Sequence, residues 1–65
     1  MQIQLNGKSF TVADPSLAAL IEQMDLGGKR YAIEINEELI PRAEHASHQL
    51  HEGDCVEIVQ AIGGG

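Results

Sequence analysis

The segment from Gln2 to Val12 constrains this chain more than any other stretch of it. Polar and apolar residues alternate through Gln2-Ile3-Gln4-Leu5 and again through Lys8-Ser9-Phe10-Thr11-Val12, the period of a half-buried strand. Between them stands Asn6-Gly7. A tight turn that matches the twist of two strands needs φ > 0 at both central positions, and Asn-Gly is the pair that tolerates it best. The chain therefore opens with a β-hairpin, with Ile3, Leu5, Phe10 and Val12 on its inner face. Two strands do not form a stable unit alone in water, so that face needs a cover and the sheet needs more strands.

The period then changes. Asp14 is placed to cap a helix and Pro15 to occupy its first position, where a missing N–H costs no hydrogen bond. Leu17, Leu20, Ile21 and Met24 fall on one helical face, with Glu22, Gln23 and Asp25 toward water. Gly27-Gly28 supplies a stop. A helix of about ten residues is unstable by itself, so it must bury its stripe against the sheet. Tyr31 to Asn36 returns to the strand period, with Tyr31, Ile33 and Ile35 on one side. Asn36-Glu37-Glu38 reads as a turn and Leu39-Ile40 as a short extended run that Pro41 ends or confines to an edge. The polar residues 42–49 read as a loop with room for one helical turn. His51-Glu52-Gly53-Asp54 is a turn, and Cys55 to Gln60 is the last strand.

This order predicts an α+β fold, a mixed sheet with one main helix packed on one face. A β-grasp topology fits it, with the first and last strands as parallel neighbours at the sheet centre. Residues 1–60 would form the domain and residues 61–65 a flexible C-terminal glycine tail rooted on the last strand.

Size and charge narrow the function. A chain of 65 residues buries only about 60 % of its unfolded surface. One cysteine, Cys55, leaves no disulfide or zinc knuckle to staple it. So small a domain has little room for an interior pocket of the usual size, roughly 300–1,000 Å³, which favours a binding or carrier module over an enzyme. Ten acids against four bases give a net charge of −6. That argues against nucleic acid, whose phosphates need a basic face, and disfavours anionic membranes. It suits steering toward a basic partner. No basic leader or long apolar run marks a secretion signal or membrane span, and a lone thiol fits a reducing cytoplasm.

The sequence ends Ala61-Ile62-Gly63-Gly64-Gly65. Three extended glycines reach roughly 10 Å at about 3.3–3.6 Å each. They could pass a terminal carboxylate into a site too narrow for any side chain. Composition alone is equally compatible with a frayed end.

Taken together, Met1-Gln2-Ile3-Gln4-Leu5-Asn6-Gly7, Ala32-Ile33-Glu34-Ile35-Asn36, Ile40-Pro41-Arg42, Gly53-Asp54 and the Gly64-Gly65 end resemble the sulfur carriers of thiamine biosynthesis, the ThiS family. The resemblance covers the whole chain. Gly63 departs from it, since many members carry another residue there. What the resemblance implies is a ubiquitin-like β-grasp protein that is a co-substrate rather than an enzyme. A ThiF-type, E1-like enzyme would adenylate the Gly65 carboxylate with ATP, sulfur originating in cysteine would convert it to a thiocarboxylate, and a ThiG-type thiazole synthase would accept the sulfur. The carrier itself would bind no cofactor. A Gly-Gly end is shared with the molybdopterin carriers (MoaD) and with ubiquitin, so a carrier for another sulfur-containing product, or a modifier joined to lysines, remains as an alternative.

Other residues invite a site reading. His45, His48 and His51 recur every third position, but Gly53 and the loop composition break any helix through them, and three solvated side chains are the plainer expectation, with no metal bound. Cys55 has no neighbouring cation in sequence to stabilise a thiolate, so it is expected to be a structural or surface thiol. The acid pairs Glu37-Glu38 and Glu52/Asp54 are expected to be solvated turn carboxylates. Val59 alternates away from Val56 and Ile58, onto the open face of the sheet. With Ile62, Gly63 and Gly64 it forms the expected partner-binding patch and tail.

Overall fold

A computed structural model describes residues 1–26 and 28–60. The expectations placed on Gly27, and those on Ile62, Gly63, Gly64 and Gly65 with the rest of 61–65, lie outside the described residues.

The hairpin forms as its sequence requires. Strands β1 (Gln2–Leu5) and β2 (Lys8–Thr11) pair antiparallel with Leu5 opposite Lys8, and the turn holds Asn6 at φ 50° and Gly7 at φ 83°. Helix α1 (Leu17–Met24), strands β3 (Tyr31–Ile35) and β4 (Glu38–Leu39), a 3₁₀ turn (Arg42–Glu44) and strand β5 (Cys55–Gln60) complete the chain. The sheet order is β2-β1-β5-β3-β4, with β5 central, parallel to β1 and antiparallel to β3. That is the expected β-grasp. Leu17 and Leu20 bury against Ile3, Ile33 and Val56, and Phe10, Ile21, Met24, Tyr31 and Ile58 pack around this core. Among the described residues, no helix is long and apolar enough to cross a membrane.

The helix ends differ from expectation at both termini. Ser16, not Asp14, is the N-cap, its Oγ accepting from the Ala19 N–H at 3.4 Å. Asp14 instead accepts the Ser16 N–H at 2.9 Å, an Asx turn that leads into the cap. The cause is tertiary. The Pro15 carbonyl accepts from the Leu50 N–H and the Leu17 N–H donates to the His48 carbonyl, so residues 15–16 lie extended against 48–50. This also satisfies one of the donors that any helix start leaves unpaired. At the other end Asp25 takes the left-handed conformation (φ 57°, ψ 53°) and stops the helix ahead of the glycines. The chain then turns Leu26 into the interior, a contact that commonly accompanies such a stop. A second tight turn joins β3 to β4 with Asn36 at φ 54° and Glu37 at φ 68°, and Ile40 rather than extending β4 is buried.

Leu20 sits with 1 % of its surface exposed where the helix meets the sheet. Leu20→Ala is expected to lower stability by about 2–5 kcal/mol through lost burial and the cavity left behind. Urea unfolding would register this as a lower midpoint at an unchanged m-value.

Candidate functional site

The candidate site is built on β5, because whatever follows Gln60 inherits its position. Two residue pairs define the formal parallel ladder between β1 and β5, Gln4 with Cys55 and Leu5 with Val56. Hydrogen bonding extends well beyond them. The Gly53 N–H donates to the Gln2 carbonyl, the Gln4 N–H to that of Asp54 and the Asn6 N–H to that of Val56, at 2.8–2.9 Å. Side chains close both ends of this seam. The Glu52 carboxylate accepts the Gln2 N–H with both oxygens at 3.2 Å, and the Asn6 amide oxygen accepts the Ile58 N–H at 2.9 Å.

On the other side β5 pairs with β3 from Val56, opposite Ile35, to Gln60, opposite Tyr31. Asn36 locks the start of this ladder. Its backbone N–H donates to the Cys55 carbonyl, its amide oxygen accepts the Cys55 N–H at 3.0 Å, and its amide nitrogen donates to Asp54 Oδ1 at 3.1 Å. Asp54 Oδ2 in turn accepts the His51 N–H at 2.9 Å. The two turn asparagines therefore do two jobs each: they adopt φ > 0, and they hold β5 from opposite sides.

Glu52 is exposed, as expected of a turn carboxylate, while Asp54 departs from that expectation in being half-buried, and both accept backbone N–H groups. His45 departs too. It is buried, with Nε2 3.0 Å from the Ile40 carbonyl and its ring stacked on Tyr31 at 6.0 Å between centroids. The Arg42 guanidinium lies 4.7 Å from the Tyr31 ring centroid and donates to the Tyr31 carbonyl at 3.4 Å, pinning the 3₁₀ turn to β3. His48 is half-buried and His51 exposed, so the three histidines do not converge. Among the described residues no group of three His, Cys, Asp or Glu side chains is arranged to hold a metal. Cys55 is an exposed thiol on the open face.

Val59 stands where alternation put it, 61 % exposed on the open face opposite Ala32. It also borders a shallow groove with Met24, Leu26, Ile58, Gln60 and Asn6. An apolar, open surface thus lies one residue before the last residue of β5. The asparagine clamps were the part that sequence reading missed. The only local signal for them was asparagine at both turns, which turn chemistry alone already accounts for.

The ThiS family profile matches residues 3–65. The sulfur carrier protein ThiS of Escherichia coli is 33 % identical over 66 residues, covering all of both chains. A thiazole synthase of Paramagnetospirillum magneticum is 33 % identical over 67 residues, which cover all of this chain and 20 % of that protein. Among solved structures, the crystal structure of the thiamine biosynthesis protein ThiS from Geobacter metallireducens superposes with a TM-score of 0.82 at 26 % identity, over the full length of both chains.

Asn36→Gly keeps the backbone free to adopt φ > 0 while removing the amide. It is expected to cost about 1–3 kcal/mol, because the Cys55 N–H loses its acceptor and Asp54 a donor. Urea unfolding would measure the loss, and amide hydrogen exchange would locate it at the start of β5.

Proposed function

The chain belongs to the ThiS family, and from that membership we propose how its last residues work. It is a sulfur carrier of thiamine biosynthesis, small and built for presentation rather than for housing a reaction. The cargo site is the Gly65 carboxylate. A free α-carboxyl ionises with a pKa of about 3.3–3.7, so near neutrality it is an anion that repels nucleophiles. An E1-like adenylating enzyme of the ThiF type overcomes this by bringing up ATP. A Gly65 carboxylate oxygen attacks the α-phosphorus, pyrophosphate leaves, and the acyl-adenylate has an electrophilic carbonyl. A hydrosulfide supplied by the partner system then displaces AMP and leaves a thiocarboxylate, so that one difficult step is divided into two easier ones. A ThiG-type thiazole synthase takes the sulfur. All of this takes place in the cytoplasm, and ATP is bound by the partner enzyme.

The observation that carries this reading is the full-length correspondence to a sulfur carrier, combined with where β5 ends. Gln60 still pairs with Tyr31, so the root of the tail is held by the sheet. Five residues follow it. Fully extended they reach at most about 18 Å, and Gly63, Gly64 and Gly65 let that reach enter a narrow channel. Ile62 and Val59 provide apolar anchors beside the root.

Intact-mass measurement tests the cargo assignment. With the adenylating enzyme, ATP and a sulfur source, the chain is expected to gain the mass difference of one sulfur replacing one oxygen, and the variant lacking Gly65 is expected to gain nothing. An unchanged wild-type mass would refute the assignment, and isopeptide-linked ladders would mark a modifier instead. Val59→Asp is expected to slow adenylation at least several-fold by raising KM while leaving Tm within a few degrees, because the side chain is exposed. Equal adenylation kinetics would remove Val59 from the docking patch.

A further inference from the structure

Among the described residues, Val59 and Gln60 at the end of β5 have a strand neighbour on one side only. The ladder with β1 ends at the Leu5–Val56 pair, and the bond from the Ile58 N–H to the Asn6 amide oxygen is the last on that side. Beyond Ile58 the strand pairs with β3 alone, Val59 opposite Ala32 and Gln60 opposite Tyr31. The bond from the Asn36 N–H to the Cys55 carbonyl sets the alternation of that ladder. Followed along the register, it makes Ala32 and Val59 a hydrogen-bonded pair. Tyr31 and Gln60 are then a pair whose backbones exchange no bond with each other and whose side chains come closer. Where Gln60 lies therefore depends on where Tyr31 stands.

Tyr31 is clasped by the segment that follows β4. The Arg42 guanidinium lies 4.7 Å from the centroid of its ring and also donates to its carbonyl at 3.4 Å. His45 stacks on the same ring, with 6.0 Å between centroids and 24° between planes. His45 is itself buried and anchored, its Nε2 3.0 Å from the Ile40 carbonyl. A carbonyl can only accept, so that nitrogen carries a proton. Ile40 in turn donates its N–H to the carbonyl of the buried Ile33 at 2.9 Å. A continuous set of contacts thus runs from the core through Ile40 and His45 to Tyr31, and from there to Gln60. Arg42 is exposed, and losing the contacts of an exposed side chain changes global stability little, so its effect is local.

We propose that Tyr31 is the positioning residue of the tail root and that Arg42 and His45 hold it in place, which gives the Pro41-Arg42 sequence a part in presenting the cargo. The proposal rests on the reading of Gly65 as the cargo site. Five residues follow Gln60 and seven follow Ile58. With Tyr31 clasped, the chain sets out for the partner's site from Gln60. With the clasp open, Val59 and Gln60 detach from β3 and the point of departure retreats to Ile58. Two more residues then have to be ordered each time a partner takes hold of the tail. That cost weakens binding and leaves the chemistry of the bound carboxylate unchanged.

The test makes two measurements on the full chain. In the free protein, amide hydrogen exchange at Ala32 and Val59 is expected to be about tenfold faster in Arg42→Met than in wild type, with the amides of β1 and α1 unchanged. In adenylation by the E1-like enzyme with ATP, Arg42→Met is expected to raise KM about fivefold at unchanged kcat, the mark of lost binding shared by ground and transition states. Its Tm stays within a few degrees of wild type. Tyr31→Phe keeps the ring and the carbonyl and is expected to match wild type in both measurements. Tyr31→Thr removes the ring and is expected to reproduce the KM of Arg42→Met. Adding Arg42→Met to it is expected to change KM little further, since both act through one contact. Wild-type exchange at Val59 in Arg42→Met overturns the proposal. So does an unchanged KM, and so do additive effects of the two substitutions, which would mean that Arg42 touches the enzyme itself. If wild type is never adenylated, the cargo reading fails instead, and the exchange measurement, which needs neither enzyme nor ATP, still decides whether the clasp holds the root.

Discussion

The structure depends on the parallel seam between β1 and β5. It joins residues at opposite ends of the chain, with contacts such as Ile58 to Asn6 spanning 52 positions. Closing so long a loop has an entropic cost before any contact rewards it, although the cost grows only slowly with length. Parallel pairing is also slightly less stable per residue than antiparallel. Local geometry cannot hold such a seam, so it is held by what lies on either side. The core of Leu17, Leu20, Ile3, Ile33 and Val56 covers one face, and side-chain acceptors close both ends. Without the seam, β5 would be an edge strand of a β3–β4 hairpin, and the chain would have two separate hairpins with nothing to join them but a marginal helix.

The irregular middle of the chain is likewise held by contacts distant in sequence. Residues 48–50 run beside the start of the helix, where the Leu17 N–H and the Pro15 carbonyl find their partners in His48 and Leu50. Leu50 is buried and His45 packs on Tyr31, so a stretch that looks like surface loop in composition is an integral layer of the fold. Asn6 and Asn36 show how local and long-range demands agree. Each turn needs a residue that tolerates φ > 0, and each asparagine then offers its amide oxygen to a β5 N–H. Agreement of this kind between local preference and global arrangement favours one folded state over its competitors.

Period and turn chemistry were enough to read the hairpin, the helix face, the strands and the exposure of Val59, because each depends on neighbours within a few residues. The errors share one physical origin. Asp14 is as good a cap as Ser16 by local preference, and only the contact with residues 48–50 decides between them. Gly27-Gly28 is the stronger helix stop on paper, yet the chain turns at Asp25 and seats Leu26 in the interior. His45 looks solvated until Tyr31 and the Ile40 carbonyl are brought to it.

A sulfur carrier must be bound specifically and then released. A 65-residue domain has no spare core for an elaborate interface, so recognition has to use surface that the fold leaves open. Apolar anchors alone would favour tight, slowly reversed association, because differences in affinity between related complexes lie mostly in the dissociation rate. Charge around an otherwise modest patch works differently. It raises the encounter rate and rejects wrongly charged partners while adding little to the lifetime of the complex. Here β5 is held on both sides by strands and at its start by Asn36, so the strand that carries the root of the tail is a fixed base for such encounters.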